Sequence, residues 1–259
     1  MKYKPSELLD VHAVIQCGTY FSNILVLDTG MKYAYSDSIE DFYWNYAYNL
    51  KESLSTDVIL EVLKQAASSK KRYPALYLTS ELDTDEIIRC CRPKEIEEEV
   101  WMILDKAPAP KKSVLQVETF VNRLPSAEFL RVFLDAYGGG QPDSPGYHGL
   151  PPEYVDAITN SSPLNNVQII HFEGRFENEV VAIASIFMYK EYCGLYNVGT
   201  CHSSRRKGFG REISKQAVDY AFKEGAEMIF LQTKANSEVE TMYKQLGFET
   251  KFTGMFLKF

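Results

Sequence analysis

The chain has 259 residues, 45% of them apolar and 24% charged, a composition that excludes a disordered polymer, a collagen-like repeat and a small disulfide scaffold. Its formal net charge of −7 argues against a protein whose main task is holding nucleic-acid phosphates, which needs a basic face. No apolar run approaches the roughly 20 residues that span a bilayer, and the start lacks a signal-like apolar core, so the expected location is the cytoplasm, with neither membrane nor nucleic acid as partner.

The five cysteines, Cys17, Cys90, Cys91, Cys193 and Cys201, are scattered and show no CxxC spacing. Neither a disulfide framework nor a metal site is expected from them. Adjacent Cys90 and Cys91 read as one surface and one core thiol.

In chain order, Val11 to Cys17, Asn23 to Leu27 and Lys32 to Tyr35 read as strands, with Asp28-Thr29-Gly30 as a hairpin turn between the last two. Asp41 to Leu50 and Asp57 to Ala67 read as helices, Tyr73 to Thr79 as a strand, and Thr84 to Cys91 as a helix. The stretch Lys106-Ala-Pro-Ala-Pro-Lys-Lys112 then reads as an extended linker, because proline removes backbone donors and disfavours helix in the residue before it. It divides the chain into an N-terminal α/β domain, 1–106, a linker, 107–113, and a second domain, 114–259.

The second half begins with an expected strand from Ser113 to Phe120 and a helix from Ser126 to Tyr137, followed by a glycine- and proline-rich loop from Gly138 to Pro152. Val167 to Phe172 and Val180 to Tyr189 read as a hairpin whose polar turn holds Glu173-Gly174. Leu195 to Thr200 is another strand.

That strand runs into Arg205-Arg-Lys-Gly-Phe-Gly-Arg211, and an amphipathic helix follows at once. Glycines let the backbone take left-handed angles and approach a ligand, while the free amides and positive dipole of a helix N-terminus favour an anion. Arg205, Arg206, Lys207 and Arg211 concentrate positive charge there on an otherwise acidic chain, as a pyrophosphate ligand would require. Other phosphate loops fit less well: a P-loop places its lysine after the second glycine, and a dinucleotide fingerprint needs a third glycine where Ile213 stands. Downstream, Ile229 to Lys234 reads as a strand, Asn236 as a helix cap, Tyr243 as a residue on the buried face of that helix and Gly247 as its end. Phe248 to Phe252 and Met255 to Phe259 read as two closing strands.

Arg205-Arg-Lys-Gly-Phe-Gly210 followed by Asn236, Tyr243 and Gly247-Phe248 resembles the acetyl-CoA motifs of the GNAT (Gcn5-related N-acetyltransferase) family, over residues 114 to 259. The resemblance implies an α/β (α+β) fold: a mixed, mostly antiparallel GNAT sheet flanked by helices, preceded by a smaller α/β N-terminal domain. It also implies that two strands splay apart and that the pantetheine arm of acetyl-CoA lies between them. On this analogy Val198, Gly199 and Thr200 hold the pantetheine, and Arg205 with the amides of Arg206, Lys207, Gly208, Phe209, Gly210 and Arg211 holds the pyrophosphate. Asn236 contacts the coenzyme, and Tyr243 is the general acid that protonates the leaving thiolate. No metal is implied.

The implied activity is direct acetyl transfer, in a ternary complex, to a primary amine of a small molecule or peptide. Alternatives are a catalytically inactive CoA-binding regulatory module and transfer of another acyl group. The general base is open among Glu118, Glu191, Tyr196 and His202. Two positions depart from the family pattern: Cys201-His-Ser-Ser204 replaces the usual proline or glutamate before the arginine, and Arg206 replaces a glycine. The N-terminal half is expected to be a degenerate second GNAT copy or a cap over the acceptor site, without bound CoA, and a homodimer is a further open expectation.

Overall fold

A computed structural model describes residues 4–50, 55–70, 73–80, 82, 84–109, 113–140, 146–164 and 166–259. Pro110, Lys111 and Lys112 of the expected linker, and residues 141–145 of the expected loop, lie outside the described residues. The fold is mixed α/β and mostly antiparallel. It runs α1 (Pro5–Gln16), β1 (Asn23–Val26), β2 (Lys32–Tyr35), β3 (Asn45–Tyr48), α2 (Thr56–Lys70), β4 (Ala75–Thr79), α3 (Thr84–Cys91), β5 (Glu95–Leu104) and β6 (Gln116–Val121). After these come α4 (Ala127–Tyr137), α5 (Pro152–Thr159), β7 (Gln168–Phe176), β8 (Glu179–Tyr189), β9 (Tyr192–Thr200), α6 (Phe209–Lys223), β10 (Met228–Lys234), α7 (Glu238–Gln245) and β11 (Glu249–Lys258). Two compact units share the chain: Met1–Trp101 with Gln232–Glu240 and Thr250–Phe259, and Met102–Leu231 with Thr241–Glu249.

In the first unit the strand order is β1-β2-β3-β4-β11-β5. Strands β1, β2 and β3 form an antiparallel meander, β3 pairs parallel with β4, and β4 pairs antiparallel with β11. Ile59, Val62 and Leu63 of α2 bury against Leu76 and Leu78 of β4 and Leu257 of β11.

Three expectations are corrected in this unit. The segment Val11 to Cys17 is helix, not strand: Pro5 opens α1, Glu7 reaches back toward the Lys4 amide, and Leu8, Leu9, His12 and Ala13 bury one helical face. The β-branched Val11, Val14 and Ile15 suggest a strand, and the α1 face outweighs them. Asp41 to Leu50 holds one 3₁₀ turn, Phe42–Trp44, capped by Asp41 and followed by β3, because alternating aromatics suit a pleated strand. The two closing strands are one, β11, since Gly254 does not break it. A Cβ there would lie 1.6 Å from the Tyr77 hydroxyl oxygen, so glycine is what lets the tyrosine cross the strand.

Tyr77 also donates its hydroxyl to Glu99 at 2.7 Å and accepts from Trp101 Nε1 at 2.6 Å. Burial pushes the Glu99 carboxyl up to about 7, against the opposing pull of these two donors. An unfolded glutamate titrates near about 4.3, so between that value and about 7 the folded chain holds a proton that the unfolded chain has released. Stability contributed by this group is therefore present at acid pH and falls as pH rises through the window. Glu99→Gln is expected to flatten that decline by about 1–3 kcal/mol, read from denaturant midpoints at about pH 5 and pH 8.

In the second unit the order is β10-β9-β8-β7-β6, antiparallel from β6 to β9. Adjacent residues on a strand face opposite ways: Phe172 meets Tyr220 of α6 and His171 meets Phe129 of α4, so the two helices cover opposite faces. The β7–β8 turn is at Glu177-Asn178, both left-handed, and not at Glu173-Gly174 as expected. Glu173 is buried with Ser126 and Arg175, and Gly174 lies under Leu115 and Ile213, where a Cβ would sit 2.8 and 3.2 Å from their side chains. Parallel pairing of β9 with β10 covers Tyr192↔Met228, Cys193↔Ile229 and Gly194↔Phe230 and stops there.

Among the described residues no helix is long and apolar enough to cross a membrane, and no three His, Cys, Asp or Glu side chains are grouped to hold a metal ion. All five cysteines are free, with Cys90 exposed and the others buried.

Candidate functional site

Strand β9 carries a bulge on its way to the loop. Ser185 faces Tyr196 while Ile183 faces Gly199, so β9 inserts one extra residue against β8, and Asn197 takes up the kink with φ +52°. Next to it, the Val198 carbonyl accepts the Tyr137 hydroxyl at 3.1 Å. Gly199 lies against α4: a Cβ there would be 2.9 Å from that of Ala136. Thr200 ends the strand, and a 3₁₀ turn, His202–Ser204, leads to the basic loop.

In the loop, Arg206 has φ +63° and Gly208, the α6 N-cap, has φ +86°. Arg206 thus occupies a left-handed position of the kind that glycine fills without strain. Among the described residues the amides of Lys207, Gly208, Phe209, Gly210 and Arg211 have no main-chain acceptor. Five donors in succession, with the α6 dipole behind them, form an anion cradle. Gly210 keeps it close to β9, since a Cβ there would be 3.1 Å from Thr200 Oγ1.

The basic side chains divide in role. Arg205 turns back to the scaffold, donating to the Ala136 carbonyl at 2.9 Å and the Thr200 carbonyl at 3.4 Å. Phe209 is buried against Phe176, ring centroids 5.0 Å apart, and contributes only its amide to the cradle. Lys207 and Arg211 line a cavity of about 420 Å³ together with Lys215, Gln245 and Gly247, and Arg211 donates to Gln245 Oε1 at 3.3 Å. Lys215, absent from the sequence-derived set, stands four residues beyond Arg211 on the same helical face, and that spacing is the signal that identifies it. Glu212 faces the chain that enters β6: its carboxylate accepts from Ser113 and from the amides of Val114 and Leu115.

Tyr243 is 5% exposed and meets Phe248 edge-on at 5.6 Å. Burial drives its phenol well above the ordinary tyrosine value, and with the Ser214 hydrogen committed to the Gly210 carbonyl the phenol can only donate to that hydroxyl. Ser214 in turn donates to the Gly210 carbonyl at 2.8 Å, tying the phenol to the first turn of α6. Sequence reasoning missed Tyr137, which closes α4 with no motif around it.

Asn236 is exposed, with φ +57°, and its amide donates to Glu240 Oε2 at 2.8 Å. The cap of α7 is Ser237, whose Oγ accepts from the Glu240 amide at 3.1 Å, and this corrects the expected cap at Asn236. Of the base candidates, Glu118 is held by Arg175 at 3.0 Å, and Glu191 lies in the β8–β9 turn with its carbonyl accepting from Glu227. Tyr196 folds over Gly194 between Phe187 and Phe230. Only His202 belongs to the loop; its amide donates to Asp135 at 2.6 Å and its Nδ1 lies 3.5 Å from the same carboxylate oxygen.

The model of the acetyltransferase (GNAT) family matches residues 141–248, which take in the bulged strand, the cradle and Tyr243. This segment is a GNAT domain. Solved structures share the fold over most of the chain. A GCN5-related N-acetyltransferase from Kribbella flavida is 17% identical, with 95% of this chain and 91% of that one covered and a TM-score of 0.63. Another from Sphaerobacter thermophilus is 13% identical, covering 87% and 75% with a TM-score of 0.61. A tandem GNAT protein from the clavulanic acid biosynthesis pathway is 9% identical, covering 87% and 77% with a TM-score of 0.57. Matches of this extent reach beyond the GNAT domain, so the N-terminal half shares GNAT-like architecture too. No curated protein matches the sequence.

Proposed function

We propose that the chain is an acetyl-CoA-dependent N-acetyltransferase that acetylates a primary amine of a small molecule or peptide. The observation that carries this reading is the run of unpaired amides from Lys207 to Arg211, flanked by a cavity lined with Lys207, Arg211 and Lys215. These groups fit a pyrophosphate with a further phosphorylated end: the N–H donors are fixed, Lys207 and Arg211 line the cavity beside them, and Lys215 stands there paired with Asp219 at 2.5 Å.

In the proposed reaction, the stretch of β9 beyond Gly194 that pairs with β8 but not with β10, with the bulge at Asn197, presents the main chain of Val198 to Thr200 to the acyl arm. Main-chain donors aimed at a developing oxyanion are a large source of rate in acyl transfer. The amine must attack as a free base, and the departing thiolate takes a proton. Tyr243 supplies that proton: burial holds its phenol neutral at every working pH. His202, oriented by Asp135, is the base candidate that belongs to the loop. Five free thiols suit the reducing cytoplasm in which such an enzyme would work.

Thiol release from acetyl-CoA, followed with full-length protein across a panel of amines and amino-terminal peptides, tests the reading. The expected result is release in step with acetylated amine and negligible without one. Saturable CoA binding with no acceptor turning over would assign the chain to the inactive, CoA-binding class instead. Faster release from a longer acyl-CoA would replace acetyl by that group.

A further inference from the structure

A cavity of the second unit, of about 550 Å³, lies away from the basic loop, where the end of β6 and the segment after α5 meet β7. Arg123, Asn122, Ser161, Gln168, Ile158 and His171 are among its lining residues, and among the described residues that line it none is acidic. On a chain of net charge −7 that is an unusual neighbourhood. Arg123 forms no ion pair or hydrogen bond with any described residue.

His171 is 3% exposed, and its Nδ1 lies 2.8 Å from Ser185 Oγ. Ser185 is fully buried and also accepts from Asn197 Nδ2 at 3.2 Å. The amide can only donate there, so the Ser185 hydroxyl hydrogen goes to His171 Nδ1, its one acceptor among the described residues. That fixes the tautomer, leaving the ring proton on Nε2. Burial holds the ring neutral, lowering His171 to about 4. Nε2–H has no partner among the described residues, and the cavity is what remains for it. Nε2–H keeps access to solvent, and an occupant of the cavity that carries an acceptor would replace water there.

We propose that this cavity binds a small molecule through its carboxylate, with the Arg123 guanidinium pairing the charge and His171 Nε2–H donating to an oxygen. One cation among neutral donors matches a single negative charge, and the planar guanidinium fork matches a carboxylate's two oxygens. A phosphate dianion would leave uncompensated charge. The volume lies within the range of small-molecule sites. The site rests on its own groups and not on the acetyltransfer reading.

Calorimetric titration of full-length protein with benzoate, hexanoate and a set of N-acetyl amino acids, each against its primary amide, provides the test. At least one carboxylate should bind saturably, about tenfold or more tighter than its amide, an interval of about 1.4 kcal/mol. Arg123→Gln, an exposed change that leaves the fold intact, should remove that preference. Free amino acids separate the two sources of the carboxylate. If it belongs to the acceptor, Arg123→Gln raises the acceptor KM with kcat kept; if it belongs to a separate molecule, acceptor KM is unchanged and binding alone is lost. In ¹⁵N-histidine spectra, His171 should carry its proton on Nε2 and shift when the carboxylate is added. Binding by no carboxylate in the set, equal binding of amides, or an unaltered Arg123→Gln titration would overturn the proposal.

Discussion

Tyr243→Phe is expected to lower kcat by about 10²–10³-fold while leaving CoA affinity within about twofold. The phenyl ring keeps its contact with Phe248, so what is lost is the hydroxyl and its bond with Ser214. Stability should fall by only about 1 kcal/mol, the worth of one hydrogen bond. Because burial raises the phenol above its ordinary value, the wild-type rate should show no loss from Tyr243 ionisation below about pH 10. Initial rates against acetyl-CoA and amine, with a parallel CoA titration, separate the two quantities. A kcat within a few-fold of wild type would remove Tyr243 from the chemistry and direct attention to Tyr137, whose hydroxyl bonds the Val198 carbonyl.

The second large effect is expected at Gly208. With φ +86° at the α6 N-cap, it holds a backbone that a β-branched residue adopts only under strain. Gly208→Val should therefore tilt the free amides out of the cradle and weaken CoA binding by about 10–100-fold, since about 1–3 kcal/mol of strain opposes the binding geometry. The cause is separable from general destabilisation. Gly225 has φ +95°, with open space for 4 Å around the position a Cβ would take, and follows the other end of α6. Gly225→Val should lower the melting temperature by a similar amount and leave CoA affinity unchanged. If both variants bound CoA as wild type does, the cradle would not be the coenzyme site.

What could be read in advance depended on how local the deciding interactions were. The basic loop was legible because its glycines, charges and following helix are adjacent in sequence, and the structure places left-handed backbone at Gly208 and at Arg206. The expected GNAT architecture followed from the same stretch together with Tyr243 and Gly247, and the family match bears it out. Local propensity misled where tertiary packing outweighed it. The valines of α1 suggested a strand, and Gly254 suggested a break because nothing in sequence shows the Tyr77 hydroxyl crossing β11. Glu173-Gly174 suggested a turn, yet Glu173 is paired inside the domain with Ser126, far away in the chain. The row His171, Ser185, Asn197 was beyond reach for the same reason: three strands bring those side chains together, and no motif marks any of them. Lys215 was within reach, through its spacing from Arg211.

The central claim is that one coenzyme site, at the N-terminus of α6, serves the whole chain. Calorimetric titration of acetyl-CoA into the full-length protein measures this most directly. The expected result is a single saturable site per chain whose affinity falls as salt is raised, as cations around a phosphorylated ligand require. No saturable heat, or two equivalent sites per chain, would contradict it.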